Sequence, residues 1–573
     1  MLATSSLTTP TRWGIIFAGF LAGSIWATLI SFQTAALLLV WVSGFTAVLA
    51  FTVTRFRTLL PWLLALSVLP FLTLITLWLE WNFREENTRY FATDIMPVTV
   101  FWLFLLLPFL QARSSKADKN TVTAVIAALW SNSFTVTVTV LLTGVFWLIM
   151  LLWSNLFGLI ELRLFDRLFF YNDTFPPIAT GVATAAGIAL CRSLPAASAI
   201  FKRIISVMAG VALPLHAAVS LIFLAFLPFT GLGIIPRDLS ATSLLITIAL
   251  ATMVMSAIVF SSTTTALCYP GWLRKLVIIA QLLTPLFALL AAYALWQRIA
   301  QYGWTMDRIN AAAAVTVTLV WTFGTAWLQR CAWRADSPHL DKLSAGVLGL
   351  MATLWFLLHS PVIDPYRITV NNQLSRFEQG LQQANVSDIY MFNNAGRRGQ
   401  QALLALQAHP QWMADPAQLR GSLASLLSSQ TREEAPASKA LRLRKTMTIR
   451  HGGPLPPESW WQSLQENSYA VRTCLVAAAH CIAWTMDLNN DGQPEVLVYD
   501  RDQREITAFS EENGKWRNIA QLSCAGRRIS CPSTEADAFD HSIQQGELST
   551  IEKPWRDLQI NGQRYTLQYH WQD

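Results

Sequence analysis

The stretch MDLNNDGQPEV (Met486–Val496) sets oxygen-bearing side chains at alternate positions, Asp487, Asn489 and Asp491, and then turns on Gly492. Calcium takes six to eight oxygen ligands, and acids and amides at the first, third and fifth positions of a tight loop converge on one ion. Gln493 offers a carbonyl, and Glu495, at the ninth position, closes the set directly or through water. An EF-hand needs a bidentate glutamate at the twelfth position, where this chain has Val498, so the loop is not of that kind. The competing reading needs no metal: Asp-Gly is a favoured hairpin turn, and Asn and Asp side chains satisfy turn backbones by themselves. That reading accounts for Asp491 and Gly492 but leaves Asp487, Asn489 and Glu495 unexplained. The expectation is a weak Ca2+ site with a Kd of about 0.1–1 mM, as in extracellular modules, that holds the fold together.

Sulfur supplies the second chemistry. Cys474 and Cys481 (CLVAAAHC) and Cys524 and Cys531 (CAGRRISC) are two pairs of the same spacing, whereas Cys191, Cys268 and Cys331 stand singly at the ends of apolar runs. An even set in an oxidising compartment predicts two disulfides, with three connectivities open. Zinc, with His480 as an added ligand, is the alternative, but six intervening residues exceed the two to four of a zinc knuckle.

These residues follow a chain whose bulk is apolar. Of 573 residues 53% are hydrophobic, 13% are charged and 24 are tryptophan, the make-up of a multispanning membrane protein. A spanning helix needs about 20 apolar residues. Eleven stretches qualify: 13–32, 35–53, 58–79, 95–111, 135–160, 175–191, 204–231, 241–261, 272–296, 310–329 and 343–360. The sixth, with PPIATGVATAAGIAL, is the weakest.

Charge tests the count, because lysine and arginine are retained on the cytoplasmic side. With the N-terminus inside, the cytoplasmic segments carry fourteen basic residues, among them Arg55, Arg57, Arg192, Lys202 and Lys342, against the acids Asp118, Asp336 and Asp341. The opposite loops carry seven basic residues and nine acids. Eleven spans obey the rule and leave residues after 360 outside, which in a Gram-negative bacterium is the periplasm. Residues 361–573 carry 21 basic and 23 acidic side chains, so the net charge of +7 reports topology and argues against nucleic acid as a partner. The first apolar run is too long for a signal peptide and reads as a retained helix.

A coupled transporter buries carboxylates within its helices, yet no Asp or Glu lies in the middle of these spans. The polar candidates there are His216, Gln281 and Asn155, each as well suited to a hydrogen bond with a neighbouring helix. Pro214, just before His216, frees a backbone carbonyl that a neighbouring side chain can satisfy. TVTAVIAALWSN reads as a short interfacial helix before the fifth span. On the outer face, LWQRIAQYGWTMDRIN presents Arg298, Tyr302 and Arg308.

That last segment resembles the RI-x-QYG-x-T-x-x-R signature of the bacterial membrane family known as domain of unknown function 4153 (DUF4153). HSPVIDPYRITVNNQLSRF is similar to the family's Pro, Arg and Gln-x-x-Arg stretch, and DIYMFNNAGRRGQQALLAL to its helical pair built on G-x-x-G-x-x-A-L. The likeness covers roughly residues 120–410 and implies a polytopic inner-membrane protein. The family has no established activity, so it implies no catalytic residue.

Beyond residue 360, helical spacing continues to about Leu427 and TREEAPASK reads as a linker. Then short runs rich in Val, Ile, Trp and Tyr (CIAWTM, VLVYD, EITAF, WRNIAQL, RYTLQYHW) read as strands. The expected architecture is a polytopic α-helical membrane bundle of about eleven spans (1–360), an external helical segment and linker (361–445) and a small antiparallel β domain (446–573). The calcium loop joins two of those strands and resembles FG-GAP-type calcium loops; only one copy is present, which excludes a full propeller.

Three functions fit this organisation. The first is a non-enzymatic envelope protein whose bundle anchors an external domain that binds a protein or glycan and senses envelope state. The second is a transporter or lipid flippase with an accessory domain. The third is a transferase acting on a lipid-linked substrate at the outer arginines.

Overall fold

The computed structural model describes residues 7–29, 36–83, 88–114, 121–158, 168–170, 172–230, 241–262, 269–332 and 340–414. Beyond these it describes chiefly 443–445, 447–450, 454–467, 481–489, 491–500, 505–512, 514–522, 558–560 and 563–565. The chain divides into two compact units, Met1–Gln373 and Leu374–Asp573. Cys268, Cys524, Cys531 and the TREEAPASK linker lie outside the described residues, as does the side chain of Cys331.

The first unit is helical. Its elements are α1 (Thr9–Leu29), α2 (Ala36–Thr52), α3 (Leu60–Ser67), α4 (Leu69–Phe83), α5 (Thr88–Ser114), α6 (Thr121–Gly158) and α7 (Phe175–Ser193). They are followed by α8 (Pro195–Thr230), α9 (Ala241–Val259), α10 (Gly271–Tyr302), α11 (Met306–Ala332) and α12 (Asp341–Leu358). Nine segments among the described residues are long and apolar enough to cross a membrane; α3 and α4 together form one of them. The two remaining stretches of the sequence count are α2, an apolar helix of 17 residues, and α7, a helix of 19 residues that carries two prolines and Arg192.

Two expectations change in detail. The interfacial helix and the fifth span are one uninterrupted helix, α6, because no Gly or Pro separates Trp130 from Thr135 and nothing ends the hydrogen-bond ladder there. The third span is broken at Val68, where Pro70 has no N–H to donate to the preceding turn.

The weak sixth stretch is held by a seam of small residues. A Cβ on Gly19 of α1 would lie 2.5 Å from the Gly181 carbonyl of α7, and one on Gly23 would lie 2.6 Å from the Pro177 carbonyl. Without side chains at these points the two backbones approach closely and pack by dispersion, the contact that replaces hydrophobic driving force in lipid. Another face of α1, with Trp13, Phe17 and Ile25, is exposed, as a lipid-facing surface requires.

The helix α13 (Pro365–Glu378) runs through the division between the units. In the second unit, α14 (Val386–Asn393) starts at a capping box between Asn385 and Asp388. The helix α15 (Gly396–Ala408) lies so close to α14 that a Cβ on Gly399 would collide with the Phe392 carbonyl. The glycine spacing of GRRGQQALLAL therefore sets this approach, and Ala402 and Leu403 are fully buried beneath it.

The sheet contains β1 (Thr448–Ile449), β2 (Cys481–Met486), β3 (Glu495–Asp500), β4 (Glu505–Glu512) and β5 (Lys515–Leu522) in that spatial order. β2 to β5 form an antiparallel meander, and β1 joins β2 in parallel, so the expected antiparallel sheet has one parallel edge. A separate hairpin pairs β6 (Leu558–Ile560) with β7 (Gln563–Tyr565). One sheet face packs Ala483, Val496, Val498 and Phe509 against Trp460, Trp461 and Leu464 of α16 (Glu458–Asn467). The opposite face, with Ile482, Trp484, Leu497 and Tyr499, is also buried.

Candidate functional site

The loop at 487–495 lies where the strand pattern puts it, between β2 and β3. Gly492 adopts φ +82°, a conformation that excludes ordinary side chains. Around it the side chains bond the loop's own backbone. Asp487 Oδ2 accepts from Gly492 N–H at 2.9 Å, Asn489 Oδ1 from Asp491 N–H at 3.1 Å and Asp491 Oδ1 from Gln493 N–H at 2.7 Å. Glu495 is buried; its Oε2 accepts from Leu488 N–H at 2.8 Å and its Oε1 lies 3.4 Å from Ser510 Oγ. The turn chemistry thus uses all four of these side chains, including Asp487, Asn489 and Glu495, which a bare Asp-Gly turn would leave unexplained. One atom remains for a cation: Asp487 Oδ1 is buried and has no hydrogen-bond partner among the described residues. An oxygen-only donor set with one buried, unfilled carboxylate position fits a hard cation such as calcium.

Cys474 and Cys481 are joined in a disulfide with Cα atoms 5.7 Å apart. Both are buried in the core between α16 and the sheet, so the pair is a staple of this face.

Within the first unit the polar candidates bond to helices. His216 Nε2 lies 3.0 Å from Thr252 Oγ1 and 3.2 Å from the Ile248 carbonyl, linking α8 to α9. Gln281 of α10 accepts from Gln329 Nε2 of α11 at 2.5 Å, with both side chains buried. Asn155 faces outward and bonds the carbonyl of Leu151 in its own helix at 2.8 Å. The carbonyl freed by Pro214 is that of Gly210, and Tyr269 Oη donates to it at 2.7 Å.

A buried helix end escaped the sequence reading. Gln111 of α5 donates to the Phe51 carbonyl of α2 at 2.9 Å and exchanges two hydrogen bonds with Asn132 of α6. Arg192 of α7 donates to the carbonyls of Ala50 and, at 2.8 Å, Val53. A guanidinium and an amide thus supply the donors that the last carbonyls of α2 lack. Arg192 is visible in the sequence only as a topological charge, because its partners lie some 140 residues away.

The outer segment is a joint. Arg308 donates to the carbonyls of Tyr302 and Gly303 at 3.1 and 2.5 Å, and the guanidinium carbons of Arg298 and Arg308 lie 5.8 and 5.5 Å from the Tyr302 ring centre. Gly303, at φ +75° and ψ −175°, turns the chain between α10 and α11 in a region open essentially to glycine alone. Gln373 of α13 donates to the Tyr302 and Trp304 carbonyls at 2.9 and 3.0 Å, and Asn372 accepts from Trp304 N–H at 2.8 Å. Two of the motif segments, QYG and NNQLSR, therefore meet in space.

Apolar helices sufficient for many membrane crossings, followed by a small sheet unit, define a multi-pass membrane protein. Within that class the chain belongs to the family described as domain of unknown function DUF4153, whose model matches residues 20–406. The match starts about a hundred residues before residue 120, where the likeness read from the sequence begins, so it takes in part of α1 and all of α2 to α5 as well. No curated protein and no solved structure matches the chain.

Proposed function

We propose that the chain is a non-enzymatic protein of the bacterial inner membrane, a helical platform for a calcium-stabilised periplasmic domain that binds an envelope protein or glycan and senses envelope state. The observation that carries the platform reading is the engagement of His216, Gln281 and Gln329 by neighbouring helices, which makes them joints of the bundle. Eleven crossings follow if α2 and α7 span together with the nine longer segments. The cap on α2 supports this, since a helix ending among apolar neighbours needs its carbonyls satisfied by protein. With the N-terminus cytoplasmic, the part after residue 360 is periplasmic.

A transporter or lipid flippase is the second reading, and it draws on Gln281 Nε2, a buried donor without a hydrogen-bond partner among the described residues. Purified chain in proteoliposomes separates the two. The platform predicts no lipid scrambling or ion flux above empty vesicles, and His216→Leu and Gln329→Leu lower the melting temperature only. Flux lost in His216→Leu at unchanged melting temperature would establish transport instead. The transferase reading is weaker, because Arg308 clamps a helix end.

Asp487, Asn489, Asp491, Gln493 and Glu495 are the proposed calcium residues, with Asp487 Oδ1 as the buried position. Millimolar calcium should raise the melting temperature of the full chain in detergent. Asp487→Asn, which keeps an acceptor for Gly492 N–H, should abolish the shift. No shift in the wild type leaves a turn without a metal.

A further inference from the structure

We infer that Cys474, Cys481 and Asp500 have a second state: with their disulfide reduced, they bind a thiophilic divalent cation such as Zn2+. Cys481 opens β2 and Asp500 closes β3, and the two are register partners across the hairpin, so both side chains leave the same sheet face. Cys474 reaches them from seven residues upstream. The two sulfurs and a carboxylate oxygen all lie within 4.8 Å of one another, and all three residues are buried. Ligand atoms around tetrahedral zinc sit about 3.3–3.8 Å apart, given metal–ligand bonds of about 2.0–2.3 Å. A small side-chain adjustment reaches that geometry, with two of the ligands already fixed on paired strands.

The surroundings favour a metal in the reduced state. The site shares its core with Trp460, Trp461, Phe509 and Trp516, which keep water away. Two thiolates and a carboxylate would gather three negative charges at this one place. A dication offsets those charges and stabilises both thiolates. The chemistry balances: a dithiol reductant gives two electrons and two protons to the S–S bond, yielding two thiols and the reductant's own disulfide. Zn2+ then binds both sulfurs and the carboxylate and releases the two thiol protons. Crosslink and metal exclude each other, since each uses both sulfurs, and the three residues thereby couple the redox state of the compartment to metal binding. The site is separate from the calcium loop, whose oxygen donors suit harder cations.

The test uses the full chain in detergent with the other five cysteines replaced by alanine, reduced by a dithiol and desalted without oxygen. Zn2+ titration should show one ion per chain after reduction and none before it. Co2+ in place of zinc should give a sulfur-to-cobalt charge-transfer band. Asp500→Asn, which retains both cysteines, should weaken zinc binding at least tenfold, with the melting temperature of the oxidised form checking its fold. If the five-alanine chain does not fold, wild type and Cys474→Ser/Cys481→Ser are compared after reduction, and a difference of one zinc is expected. No zinc on the reduced chain, equal zinc with and without the two cysteines, or unchanged affinity in Asp500→Asn overturns the proposal.

Discussion

At the level of single residues, the same side-chain type does different work according to what surrounds it. Arg192 counts in the sequence as one cytoplasmic charge, yet in the fold its guanidinium closes the end of α2. A lysine would keep the charge but not the planar fork that reaches two carbonyls. Arg192→Ala should therefore destabilise the detergent-solubilised protein by about 2–3 kcal/mol, since it leaves buried acceptors without donors. Arg192→Lys should recover part of this loss, and equal melting temperatures for all three proteins would reduce Arg192 to a topological charge. The loop at 487–495 shows the complementary case. Its acid spacing was legible, but whether a carboxylate oxygen faces a backbone N–H or stands unfilled depends on how the turn closes around Gly492.

At the level of elements, the apolar runs located the helices well because length and hydropathy are local properties. Two boundaries depended on breakers: Pro70 divides one span, and the lack of any breaker before Thr135 fuses another with its neighbour. The weak sixth stretch, α7, is explained only by its partner, because its glycines and alanines are poor lipid-facing residues but good contact residues. Gly19→Val should overpack the α1–α7 seam and cost at least 1–3 kcal/mol, roughly the penalty of forcing methyl groups into a filled interface. Gly144→Val is the control: a Cβ there meets nothing within 4 Å, so the change should stay within about 0.5 kcal/mol. Equal melting shifts for the two variants would dismiss the seam. The disulfide staple also belongs to this scale, since the fold selects Cys474–Cys481 from the pairings the sequence leaves open.

For the whole molecule, eleven crossings and the charge bias make one joint prediction about sidedness. An alkaline phosphatase reporter fused after Asp573 should be active, and one fused within the segment at 113–120 inactive. With the N-terminus inside, inactivity of both fusions would mean that α7 does not cross, and the reverse pattern that α2 does not. Membrane character, the family motifs, the loop and the even cysteine set were determined by the sequence itself, since each rests on composition or on residues near one another in the chain. The tertiary structure decided what depends on distant segments meeting. It joined Tyr302 to Gln373, Gln281 to Gln329, Arg192 to the end of α2, and Asp500 to Cys481. For the first three the physical reason is that a polar group removed from water must find a partner, and for the fourth it is the strand ladder; the sequence names the residues while only the fold brings them within reach.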